Sequence, residues 1–119
     1  MPTVFRIDPS RRLVVSRAWG AVTTAELRAH YRQLVVDPAF DPTYRQLTDV
    51  REVTDFDLPS SLLADVAAHP VFAPGTRRAF VVSGPVAYGL ARMFGAYAEG
   101  AHQEVQVFRD LAAAEAWLA

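Results

Sequence analysis

Four consecutive apolar residues, Ala79-Phe80-Val81-Val82, lie inside a strand-like run from Arg78 to Ser83 that stops at Gly84-Pro85. A strand with one wet face alternates polar and apolar residues, whereas an unbroken apolar run demands cover on both faces. Helices flanking a sheet supply that cover, and the rest of the chain provides them. Thr3 to Asp8 reads as a strand, Pro9-Ser10-Arg11 as a turn and Leu13 to Trp19 as a second strand, which together form a hairpin. Gly20 breaks the run, and Thr23-Thr24-Ala25-Glu26 has the pattern of a capping box. Leu27, Tyr31, Leu34 and Val35 recur at helical spacing until Asp37-Pro38, and Pro38 to Thr43 is a loop anchored by Phe40.

Arg45 to Val50 is the third strand, an acidic loop follows, and Pro59 to His69 forms a second helix with Leu62, Leu63 and Val66 inward, stopped by Pro70. After the fourth strand, Pro85 opens a third helix whose stripe is Val86, Leu90, Met93, Phe94 and Tyr97, with Gly100 after its end. Glu104 to Phe108 is the fifth strand, and Asp110 caps a last helix carrying Leu111, Ala114, Trp117 and Leu118. The order is β-β-α-β-α-β-α-β-α. Beyond the hairpin each strand returns through a helix, which requires parallel, right-handed crossovers. The expectation is one α/β domain of 119 residues with a mixed five-stranded sheet and covering helices.

Composition narrows the function. The chain is 51% hydrophobic and 21% charged, and it has no run of about 18 apolar residues, so no membrane span is expected. The N-terminus lacks the pattern of a secretion signal, which makes the cytoplasm the default location. Without Cys there are no disulfides and no thiolate metal ligands. All 12 basic residues are Arg, Lys and Asn are absent, and Ile occurs once, the usage of a GC-rich bacterial genome. The net charge is −1 and the Arg residues are dispersed, so nucleic acid is not an expected partner.

His30, His69 and His102 form no metal-binding spacing, and Asp55-Phe56-Asp57 lacks the Gly and distant Glu of a calcium loop. No Gly-rich nucleotide loop or nucleophile elbow is present, so no cofactor is implied. No nucleophile and base pair by spacing either, and the reading leans away from an enzyme.

The candidate site residues cluster at strand ends and helix starts. Asp49 closes the third strand, where ligands of open α/β sheets approach. Ser60 and Ser61 open the second helix, where a hydroxyl caps amides and an added phosphate is favoured by the helix dipole. Ser83 and Gly84 offer backbone amides to an anion, with Arg92 two turns farther along the third helix. Leu90, Met93, Phe94 and Tyr97 pack as core or line a pocket for an apolar ligand, with the tyrosine hydroxyl at its rim.

The element order, the strand ending at Asp49 and the Ser-bearing helix start resemble the STAS superfamily, the sulfate-transporter and anti-sigma-factor-antagonist domains. The stretch RRAFVVSGPVAYGLARMF, with Val107-Phe108-Arg109-Asp110 and Ala116-Trp117-Leu118 after it, is similar to bacterial STAS/SEC14-like proteins of this length. The resemblance implies a SpoIIAA-like regulatory domain that binds a kinase or an anti-sigma-type regulator and is phosphorylated on a Ser at the start of the second helix. Asp57-Leu58-Pro59-Ser60-Ser61 is the nearest match to that Asp-Ser-Ser-Gly-like motif; two residues separate the Asp from the serines and no Gly follows. The alternative partner is a small apolar or anionic ligand held between the third helix and the central strands, with Asp49, Ser83 and Arg92 at the mouth. The first strand, at a sheet edge, offers a surface for a homodimer.

Overall fold

A computed structural model describes residues 2–119. One sheet runs through it in the order β1-β2-β3-β4-β5. The strands are β1 (Thr3–Asp8), β2 (Leu13–Thr23), β3 (Arg45–Asp57), β4 (Arg77–Val81) and β5 (Glu104–Phe108). The helices are α1 (Thr24–Val36), α2 (Ser60–Ala68), α3 (Pro85–Glu99) and α4 (Leu111–Leu118). β1 pairs antiparallel with β2 and every later pair is parallel, as the alternation of strands and helices requires. No helix among the described residues is long and apolar enough to cross a membrane.

The helix signals work as the sequence suggests. The Thr23 hydroxyl accepts from the Glu26 amide while the Glu26 carboxylate takes the Thr23 amide, which closes the capping box of α1. Pro85 sits in the first turn of α3 and the Asp110 carboxylate accepts from the Ala113 amide at the start of α4.

Two expectations are corrected. Gly20 does not end β2, and the acidic stretch after Val50 is not a loop. Gly20 adopts a positive φ of 64° inside the strand, and β2 continues to Thr23 beside a β3 that continues to Asp57. The register shifts twice, once between Arg17 and Trp19 and once between Gly20 and Ala21, with β3 holding the extra residues. These bulges carry the pair past the sheet, since β3 pairs with β4 only from Gln46 to Asp49. The result is a two-stranded arm, bearing Val22, Val53 and Phe56, at the carboxyl end of the strands.

The third-helix stripe is also corrected. α3 buries Ala87, Ala91, Phe94 and Ala98, whereas Val86, Met93 and Tyr97 face outward. Small alanines bring this helix close to the sheet, and the larger residues one position away are left on the solvent side.

Candidate ligand site

Side chains of a strand point alternately to opposite faces, and the central strands use the two faces differently. Leu13, Leu47, Ala79 and Val81 pack on α4 through Ala114 and Leu118. The other face carries Val14, Ser16 and Ala18 from β2, Gln46 and Thr48 from β3, and Arg78 and Phe80 from β4. It lies under α1, α2 and α3, which contribute Leu34, Leu63, Ala67, Ala91 and Phe94 to its core.

Four polar residues are buried on this second face: Ser16, His30, Gln46 and Arg78. They form one chain of hydrogen bonds. His30 Nε2 lies 3.1 Å from Ser16 Oγ, and Gln46 Nε2 donates to the same oxygen at 3.2 Å. Arg78 Nε donates to Gln46 Oε1 at 2.9 Å, and its Nη2 to the Tyr31 hydroxyl at 3.0 Å. Burial holds the pKa of His30 below its ordinary value, which keeps the imidazole neutral and able to accept from Ser16. The Arg78 guanidinium also lies 4.7, 5.7 and 5.3 Å from the ring centroids of Phe72, Phe80 and Phe94. No carboxylate among the described residues forms an ion pair with it.

Next to this chain lies an apolar cavity of about 120 Å³. Its walls come from β2, β3, the arm and all three helices; Val22, Phe56, Leu63, Phe80, Leu90 and Phe94 are among them. Ser16, His30, Gln46 and Thr48 form its polar side. Thr48 Oγ1 is sealed from solvent and has no hydrogen-bond partner in the protein. An unsatisfied buried hydroxyl costs roughly 1–3 kcal/mol.

The residues singled out from sequence do not converge here. Asp49 accepts from Arg51 Nε at 3.0 Å and Nη2 at 2.8 Å, and these bonds hold its pKa below the usual carboxylate value. It follows Leu47 on the α4 side of the strand. Ser83 Oγ donates to the Arg51 carbonyl at 2.8 Å. Gly84, with φ of 83°, is the N-cap of α3 and makes no side-chain cap. Arg92 reaches back to the Tyr88 hydroxyl at 3.4 Å and lines a shallow groove between α3 and β5. Tyr97 is 42% exposed, outside the cavity. Asp49 and Ser83 thus meet around Arg51, while Arg92 and Tyr97 lie apart from them. Pro59, not a serine, is the N-cap of α2, so Ser60 and Ser61 are exposed in its first turn and neither hydroxyl makes a hydrogen bond within the described residues.

Sequence reasoning passed over Ser16, Gln46, Thr48 and Arg78. The signal is there in retrospect: polar residues alternate with the apolar residues of buried strands, as in Gln46-Leu47-Thr48, and Arg78 directly precedes the apolar run of β4. His30 carries a similar signal, one turn from Leu27 and Leu34 on the inner side of α1.

No protein-family model and no curated protein matches the sequence. Among solved structures, the chain is similar to an uncharacterised protein of the DUF3478 family from Shewanella loihica PV-4, which has a SpoIIAA-like fold. The TM-score is 0.68 at 18% identity, over 98% of this chain and 94% of that one. The architecture built from this sequence is therefore a SpoIIAA-like fold.

Proposed function

We propose that this domain holds a compact apolar ligand between the sheet and α1, α2 and α3, as a carrier or sensor and not as an enzyme. The supporting observation is the cavity itself, apolar on most sides and bordered by Ser16, His30, Gln46 and Thr48. A void of roughly 150 Å³ lined by apolar side chains takes a molecule the size of benzene, so this cavity suits a ring or a short chain with one polar atom. The test is thermal unfolding with and without 1-hexanol, beside an Ala91→Leu variant that fills the space next to Phe94. A ligand that binds only the folded state raises its Tm. The expected result is a rise for the unmodified chain that is absent in Ala91→Leu. An unchanged Tm in both, with native mass spectrometry finding no retained molecule, sinks the proposal.

A second reading follows from α2. The exposed, unbonded hydroxyls of Ser60 and Ser61 at a helix N-terminus favour a phosphate there, and with it a regulatory role toward a kinase or anti-sigma-type partner. Intact mass of the chain recovered from its own cells tests this. Only unmodified protein, across growth conditions, rejects it.

A further inference from the structure

Arg78 is 2% exposed and carries a full charge, yet among the described residues its acceptors are the neutral Gln46 and Tyr31. A guanidinium has five N–H donors, and these two bonds leave most of them unused. Stacking on three phenylalanine rings offsets part of the desolvation cost, but rings supply no hydrogen-bond acceptors of carboxylate strength. Nη1 donates to no acceptor among the described residues, and Arg78 borders open space on one side. The opening is a cleft of about 430 Å³ between α1 and the end of α2, where Arg28, Arg32 and His69 surround the approach. Only Asp65, paired with Arg28 at 3.3 Å and near His69, offsets those charges among the cleft residues.

The cleft and the apolar cavity adjoin. Tyr31 and Val66 line both, and Gln46, which lines the cavity, is hydrogen-bonded to Arg78. We infer that the ligand is a small monocarboxylic acid whose carboxylate takes Nη1 and the remaining N–H of Nη2 of Arg78 while its apolar body passes Tyr31 and Val66 into the cavity. This deepens the ligand-binding reading and rests on it. A planar carboxylate matches the guanidinium fork with two parallel hydrogen bonds, which a neutral alcohol cannot reproduce. The volume of the cavity limits the body to about the size of a ring or a short alkyl chain.

The experiment compares hexanoate with 1-hexanol, equal in chain length and different in charge, by calorimetric titration into the unmodified chain and into Arg78→Met. Hexanoate is expected to bind at least about tenfold more tightly than the alcohol, and Arg78→Met to remove that preference. Equal binding of the two by the unmodified chain overturns the inference and leaves the apolar-ligand reading standing. Absence of binding by both at millimolar concentration overturns the two together.

Should Arg78→Met fail to fold, hexanoate labelled with ¹³C at the carboxyl carbon gives the answer on the unmodified chain. Bound to Arg78, the carboxyl stays ionised to lower pH than it does free in solution. A bound acid that titrates as the free one does, or at higher pH, rejects the assignment.

Discussion

The same three strands bury two unlike interiors. On the α4 side, Leu13, Leu47, Ala79 and Val81 meet Ala114 and Leu118 with no polar group in the cluster. On the side of α1, α2 and α3, the alternate residues of the same strands are Ser16, Gln46, Thr48 and Arg78, beside a void. A residue such as Gln46 or Arg78 adds nothing to stability that a packed hydrophobe would not supply, because desolvation consumes most of what its hydrogen bonds return. The contrast therefore separates a face whose core is wholly apolar from a face whose core is interrupted by buried polar groups.

Adjacent residues of β3 break this comparison most directly. Leu47→Ala, on the α4 side, is expected to lower stability by about 2–5 kcal/mol, because the cluster collapses little around the lost volume. Thr48→Val, one residue on and facing the cavity, keeps the shape and removes the unpartnered hydroxyl, so it is expected to be neutral or to stabilise by up to about 1–3 kcal/mol. Urea unfolding of the two variants measures both. A Thr48→Val loss as large as that of Leu47→Ala erases the distinction between the faces.

A smaller effect sharpens it. His30 packs edge-on against Phe5 and Tyr31, bonds Ser16, and lies three hydrogen bonds from the charge of Arg78. Its folded pKa is lowered by burial, so below about pH 6.5 the unfolded chain takes up a proton that the folded chain resists. Stability is then full above that pH and falls as the pH drops through it, with the urea midpoint declining between about pH 7 and pH 5. His30→Gln is expected to flatten the slope in this window. Asp49, whose lowered pKa comes chiefly from the Arg51 hydrogen bonds, contributes above about pH 3.9 and loses its share only in more acid solution, so the two residues are separable.

The architecture was legible because it depends on local signals: the apolar run at Ala79 to Val82, the Thr23 and Glu26 pair, and the punctuation by Pro70, Pro85 and Gly100. Each fixes a boundary through backbone chemistry that nearby residues decide. The arm was not legible. Its β3 residues, Glu52 to Asp57, are mostly polar, the apolar Val53 and Phe56 do not alternate with period two, and the pairing with β2 is nonlocal, so nothing in their own pattern separates a bulged strand from an acidic loop. The candidate site was missed for a related reason. Asp49 and Ser83 stood out by their places at element ends, and Arg92 as a cation two turns along the third helix, but the pocket lies against the face of the sheet. Its polar groups come together only because parallel pairing sets Ser16 beside Thr48 and Gln46 beside Arg78.

The arm has a mechanical meaning of its own. From Trp19 to Thr23 and from Glu52 to Asp57 the two strands are bonded to each other and not to β4, and a lone two-stranded ribbon is only marginally stable in water. Its hydrogen bonds can open without disturbing the ladder from Leu13 to Asp49, at a free-energy cost well below that of global unfolding. Since Val22, Val53 and Phe56 line the cavity, opening of this cantilever is expected to uncover one of its walls, and hydrogen exchange of the amides from Trp19 to Thr23 that is faster than that of Leu13 to Ser16 is the measurement that checks it.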